Sequence, residues 1–431
     1  MDAASTQKPS LFPVLLVNFI GMLGYSIIIP LLVFLVKRFG GNEVVYGLLG
    51  AIYPAFQLVG APMLGRWSDA VGRRRVLMIS QLGTFLAWLL FILALLLPVQ
   101  ELLSIESQWL GTFFISAPLI ILVFARALDG LTGGNVSVAM AYLSDISTEA
   151  DRKANYGKMA SSSSLGFILG PMIASVLGGT SLGEMLPVIA AAAISLVAIG
   201  TIYFYLPESH PPQAVAPDAK PLQVSKLFQI EHKECFEMDK QEDDKSFRAI
   251  LDIRGIPLMF LIYFMTFLGF SFFYSGFPIF AVDSLEWNSG QLGLFFTISS
   301  SIMVLAQGPL LTFLSDKVAS RLLVVVGSLL IGTAFVLIPI AGPFWVYGCV
   351  VLLSLGNGIM WPSFMAILGT KGNKDNQGTI MGYGNSMGSA ASICGLVMGG
   401  LLFSYVGPVT FWIGGTAMFV IGALSLGLRE G

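Results

Sequence analysis

Apolar residues run through this chain in long blocks, interrupted by short clusters of charge, glycine and proline. Twelve blocks can be counted, at about 12–36, 44–65, 76–97, 117–143, 155–178, 184–206, 255–282, 288–314, 322–341, 344–369, 377–404 and 407–428. Each has about the 20 residues an α-helix needs to cross the hydrocarbon core of a bilayer. One interval breaks the rhythm. Residues 207–254 are predominantly polar, with Pro207, Pro211, Pro212, Pro217 and Pro221 first and a charge run from Glu237 to Asp244 later. Six blocks lie on either side. The pattern predicts an all-α polytopic membrane protein of twelve transmembrane helices. A six-helix bundle over 1–206 and a second over 255–431 flank a linker, 207–254, with a short amphipathic helix around Val224–Asp239. The first block follows a single basic residue, Lys8, and is too long for a signal-peptide core, so it reads as an uncleaved first helix.

Composition narrows the class. Hydrophobic residues make up 55 % of the chain and charged residues 11 %, against about 25 % charged in soluble proteins. Too little polar surface remains for a water-soluble domain. The net charge of −2 gives no footprint for nucleic acid. Three cysteines, Cys235, Cys349 and Cys394, are an odd number and imply no disulfide framework. Charge placement then sets orientation. Twenty of the 23 Lys and Arg residues fall on the side that holds both termini and the linker, Lys37 and Arg38 on the other, and Arg126 inside a span. By the positive-inside rule both termini are expected to be cytoplasmic.

The candidate chemistry is sparse. Arg126 and Asp129 are the two charges placed at bilayer depth, on one face of the fourth span at i, i+3 spacing. Asp129 could take up a proton when desolvated and release it when Arg126 approaches; equally, the two could form a permanent pair that orders the helix. Asn18, Tyr25, Gln57, Asn135, Tyr274, Gln307, Asn357, Trp361 and Asn385 are candidates to line a cavity or to make interhelical hydrogen bonds. Both histidines, His210 and His232, lie in the linker. Glu231-His232-Lys233-Glu234-Cys235 offers too few ligands for a metal site, so none is expected. No GxxxxGK[ST] loop occurs and no nucleophile–base set lies at membrane depth, so neither ATP-driven transport, a cofactor nor an enzyme is expected.

The halves echo each other. Ser68-Asp69 follows the second span and Ser315-Asp316 the eighth, and the 13-residue interval Gly157 to Gly170 recurs as Gly382 to Gly395. A duplicated transporter architecture follows, with a substrate site expected between the halves. More specific motifs accompany the repeat. They are Gly65-Arg66-Trp67-Ser68-Asp69-Ala70-Val71-Gly72-Arg73-Arg74-Arg75, Arg126-Ala127-Leu128-Asp129-Gly130 with Gly133-Gly134-Asn135, the set Asp145, Arg152 and Gly157, Gly166-Phe167-Ile168-Leu169-Gly170-Pro171, and Leu206-Pro207-Glu208. Together they resemble the major facilitator superfamily, in its drug:proton antiporter branch near tetracycline-resistance-like carriers. All but the linker and residues 99–116 is covered.

The resemblance implies a monomeric, proton-coupled exporter of a small amphipathic organic compound in the lipid bilayer. Gly65, Asp69, Gly72, Arg73, Arg74, Asp145 and Arg152 would form a cytoplasmic latch that holds one conformation. The alternative is that the arginines only set topology. Gly166, Gly170 and Pro171 would form a close helix seam. Two departures favour uptake or facilitated diffusion instead: Gly21 stands where such carriers have a first-span acid, and Ala174-Ser175 replace a glycine pair. A transporter fold acting as a sensor is a further reading.

Overall fold

The computed structural model describes residues 11–133, 135–209, 247–371 and 376–428. The amphipathic helix expected around Val224–Asp239, both histidines and the Glu231–Cys235 cluster lie outside the described residues, as do Lys8, Gly134, Lys374 and Arg429.

The described chain is almost wholly helical. In order the elements are α1 (Phe12–Ile28), α2 (Leu32–Arg38), α3 (Glu43–Val71), α4 (Arg73–Leu96), β1 (Leu103–Ser107), β2 (Gly111–Ile115), α5 (Ala117–Thr132), α6 (Asn135–Ile146), α7 (Glu149–Gly178) and α8 (Met185–Tyr205). Then come α9 (Phe247–Asp252), α10 (Ile256–Asp283), α11 (Ser289–Leu305), α12 (Leu311–Ser315), α13 (Ser320–Leu337), α14 (Val346–Gly369), α15 (Gln377–Val406) and α16 (Val409–Ser425). Among the described residues ten helical stretches are long and apolar enough to cross a membrane, and an eleventh if the bent pair α1–α2 is one span. The 17-residue α16 completes the twelve apolar blocks at shorter length.

Two interruptions mark single spans among the described residues. The first turns by 46° between Ile28 and Leu32, where Pro30 lacks the N–H that would continue the ladder and its ring crowds the carbonyl four residues back. The fourth span, Ala117–Ile146, comprises α5 and α6. The eighth passes through a π-helical turn, Ala306–Leu310, which contains Pro309. A β-hairpin also appears in the all-α chain: β1 pairs antiparallel with β2, Leu103 opposite Ile115 and Ser107 opposite Gly111.

By packing, the chain divides into two compact units. The first comprises Met1–Leu31, Ala55–Gln100 and Ala117–His232; the second comprises Leu32–Pro54, Glu101–Ser116 and Lys233–Gly431. The first has an apolar core at the basic end of its helices, where Val14, Val17, Leu64, Leu77, Val138 and Tyr142 are all but sealed from solvent. The second has an aromatic core in which Phe277 stacks on Phe295 at 4.2 Å and Phe273 on Phe335 at 5.4 Å.

The same device joins one helix pair in each unit. In the first, a Cβ at Gly170 of α7 would strike Ser26 Oγ of α1, and one at Gly166 would lie 2.7 Å from the Phe19 carbonyl. Ser26 Oγ donates to the Gly166 carbonyl at 2.9 Å. In the second, Gly399 of α15 faces Ser275 Oγ of α10, and Gly395 faces Ser271. Small residues let the backbones approach so closely that dispersion and side-chain hydrogen bonds replace the hydrophobic drive that lipid removes. In packing terms Gly166 and Gly170 correspond to Gly395 and Gly399, one helical turn beyond the alignment that spacing alone implies.

Candidate functional site

Arg126 and Asp129 lie on the buried face of α5, 3 % and 8 % exposed. Leu119, Leu122 and Ala125 turn that face inward. Arg126 Nη1 stands 4.0 Å from Asp129 Oδ2, Thr84 of α4 hydrogen-bonds the Asp129 carboxylate, and Tyr25 of α1 lies within the field of Arg126. A lone charge at the bilayer centre costs about 2.5–3.5 kcal/mol on insertion scales, and the opposite charge and the hydroxyl offset part of it. At 4.0 Å the pair attracts without the short bidentate geometry of a locked Arg–carboxylate bond. It can part without breaking a close hydrogen bond.

One turn past Asp129, carbonyls near the end of α5 accept from neighbouring helices: Ser80 Oγ donates to Thr132 O at 2.5 Å, and Gln57 Nε2 to Gly133 O at 3.2 Å. Asn135 opens α6, buried, and donates to Gln81 Oε1 at 3.5 Å; Gln81 Nε2 in turn donates to Ser195 Oγ at 2.7 Å. Gly21 faces this network, since a Cβ there would lie 3.3 Å from Asn135 Nδ2. Where an acid is expected in the first span, the structure presents a neutral carboxamide.

A second cluster forms at the basic end of the same unit. Arg73, nearly buried, pairs with Asp69 at 2.5 Å and with Asp145 at 3.1 Å, and donates to Ser68 Oγ at 2.6 Å. Arg74 donates to the carbonyls of Ile202 and Tyr203, at the end of α8, at 3.3 and 2.6 Å. Glu208 accepts the backbone N–H of Arg73 at 2.7 Å and of Arg74 at 3.2 Å. The carboxylate thus satisfies donors that the first turn of α4 leaves open and sits at the positive end of its dipole. Gly72 makes this possible: its φ is +102°, and a Cβ would lie 2.5 Å from Glu208 Oε2. Gly65, by contrast, faces open space, and Arg152 lies exposed in the first turn of α7, outside the cluster.

The remaining candidates disperse. Asn18 ties α1 to α7 through Met159 O at 3.2 Å and Ser163 Oγ at 2.8 Å. Tyr25 meets Phe167 edge-on at 5.9 Å. In the second unit Asn357 Nδ2 donates to Met303 Sδ at 3.2 Å, Gln307 sits in the π-helical turn, and the Tyr274 carbonyl accepts from Tyr46 Oη at 3.1 Å. Trp361 packs edge-on against Tyr263 at 4.9 Å and Phe267 at 5.2 Å, and the Tyr263 hydroxyl donates to Asn385 Oδ1 at 2.8 Å. Sequence reasoning passed over Thr84, Gln81 and Tyr263, single polar residues in apolar runs that carry no pattern. Glu208 was visible only as the end of a motif.

The sequence matches the family described as Major Facilitator Superfamily over residues 14–392 and 259–430. It is 26 % identical over 419 residues to the tetracycline resistance protein, class E, of Escherichia coli, which covers 96 % of this chain and 93 % of that protein. To multidrug resistance protein 2 of Bacillus subtilis it is 25 % identical over 439 residues, 100 % of this chain and 98 % of that one. Among solved structures, the human organic anion transporter MFSD10 (TETRAN) superposes with a TM-score of 0.62 at 20 % identity, over 96 % of this chain and 98 % of that chain. A peptide transporter, POT, superposes with a TM-score of 0.70 at 13 % identity, over 100 % and 97 %.

Proposed function

We propose, from the premise that this chain belongs to the Major Facilitator Superfamily, that it is a secondary transporter working by alternating access, which exports a small amphipathic organic molecule in exchange for protons. The observation that carries this reading is the buried Arg126–Asp129 pair: among the described residues these are the charged side chains set well inside an apolar span. A proton-coupled carrier needs a group whose affinity for protons changes with its surroundings. The 4.0 Å spacing leaves Asp129 open to such a change. Tetracycline and multidrug resistance proteins among the relatives support an organic substrate.

The test uses proteoliposomes with an imposed pH gradient and a panel of amphipathic aromatic compounds. Asp129→Asn is expected to abolish gradient-driven accumulation while substrate exchange at equal pH persists. Accumulation by the mutant equal to wild type would return the pair to a structural role. A second reading, facilitated diffusion or uptake, is favoured by Gly21 facing Asn135 instead of bearing an acid. It is distinguished by flux that ignores the gradient in the wild type.

A further inference from the structure

The hairpin β1–β2 and the tip of α15 meet on the sparsely basic side of the second unit. On its inner flank the hairpin is fixed to the turn between α2 and α3. Phe114 N donates to Gly40 O at 3.0 Å, Ser116 Oγ to Phe39 O at 2.7 Å, and Asn42 Nδ2 to Leu110 O at 2.7 Å. The Phe114 ring fills the space over Gly40, whose φ of +96° excludes a side chain there. At its tip the attachment is of another kind. The Tyr405 hydroxyl reaches from α15 to the carbonyls of Gln108 and Trp109, at 3.0 and 2.8 Å. Ser107 Oγ accepts the N–H groups of Trp109 and Leu110 at 3.2 and 3.3 Å and so holds the turn in the shape that presents those carbonyls.

Beneath the hairpin the same helices touch directly. A Cβ at Gly47 of α3 would lie 2.5 Å from the Leu396 carbonyl and 3.0 Å from Gly400 Cα of α15, and Lys37 of α2 pairs with Asp283 at the end of α10. Three hydrogen bonds, one of them between backbone groups of both partners, tie the hairpin and the adjoining Ser116 to α2–α3. At its tip the Tyr405 hydroxyl ties it to α15. Any motion that parts α3 from α15 on this side must therefore carry the hairpin with α3 and break the Tyr405 contact.

We propose that the hairpin 103–115 is a clasp, released at Tyr405, that sets how often this side of the transporter opens. Tyr405 is a positioning residue in this scheme: it touches the hairpin, and through it biases the conformational equilibrium. The proposal rests on the alternating-access reading above.

The experiment is hydrogen–deuterium exchange on the full-length protein in lipid nanodiscs, for wild type, Tyr405→Phe and Gly47→Leu. Gly47→Leu wedges α3 from α15 and serves as the reference for an opened side. If the clasp is real, Tyr405→Phe raises exchange at residues 40–50, 102–115 and 396–406 by about twofold to tenfold, the population change expected from losing one net hydrogen bond. Exchange in α4 and α13 stays at the wild-type rate. If Gly47→Leu opens these segments and Tyr405→Phe does not, the clasp is wrong and alternating access stands. If neither variant changes them, the alternating-access reading fails beneath it. Faster exchange throughout the molecule in Tyr405→Phe would make Tyr405 a contributor to fold stability and overturn the clasp.

Discussion

Gly72 and Gly65 stand in the same motif, yet the structure requires only one of them. Gly72 adopts φ +102° and leaves room for the Glu208 carboxylate, whereas a side chain at Gly65 meets nothing within 4 Å. Gly72→Ala is therefore expected to cost about 1–3 kcal/mol, the scale of a strained backbone position, and Gly65→Ala close to nothing. Thermal unfolding in detergent, read by tryptophan fluorescence, separates them. Glu208→Ala should lose about 0.5–2 kcal/mol by the same assay, as a lost helix cap does, and Glu208→Gln less. Arg73 is the residue on which the cluster converges. Asp69 is 62 % exposed in its pair, and such surface pairs contribute about 0.2–1 kcal/mol. Asp69→Asn should then shift any equilibrium the cluster controls by less than about sixfold, and Arg73→Ala, which also loses Asp145 and Ser68, by more. Cysteine labelling on the basic side measures both. The arginines and aspartates of this cluster were legible in the sequence because the motif groups them. Glu208 was not, because its partners are backbone N–H groups 135 residues away in sequence, and backbone donors leave no sequence mark.

Helix boundaries were legible because hydropathy writes them in blocks of twenty, and interruptions inside a block were not. The first span reads as one apolar run across Pro30, and only the missing N–H divides it into α1 and α2 with a 46° bend. The hairpin escaped for the opposite reason. Its strands, Leu103–Ser107 and Gly111–Ile115, are five residues each, and their alternation is faint beside the helical signal around them. The glycine–serine contacts of α1 with α7 and of α10 with α15 were half legible: the glycines announced close packing, but the serines they meet had no recognisable partner in sequence. Gly170→Leu and Gly399→Leu are each expected to prevent assembly of their helix pair. The expected result on fluorescence-detected size exclusion is loss of the monodisperse peak. Ser26→Ala, which removes one interhelical hydrogen bond, should cost only about 0.6 kcal/mol and leave the peak in place.

At the scale of the whole molecule, twenty basic residues against two divide the loops between the two sides of the membrane. A reporter fused within 211–246 is expected to be active only in its cytoplasmic form; an externally active fusion would reverse the orientation. The twelve-block pattern carried the fold class because the bilayer imposes it on composition. It carried less of the site, since which polar residue meets which depends on helix rotation and on bends such as that at Pro30.

The pair in α5 has an electrical consequence. With Asp129 ionised, Arg126 and Asp129 together carry no net charge; with Asp129 protonated, they carry +1. In the proposed cycle the carrier is therefore charged only when loaded with a proton. If reorientation takes the pair through a fraction of the transmembrane field, an interior-negative potential draws the loaded form inward, by up to about 2.3 kcal/mol per 100 mV for the full field. Export of a neutral compound would then be electrogenic. A potassium diffusion potential set with valinomycin, at equal pH on both sides, should drive it by itself in wild-type proteoliposomes. In Asp129→Asn, where the pair keeps its +1 charge throughout the cycle, the same voltage should produce no accumulation.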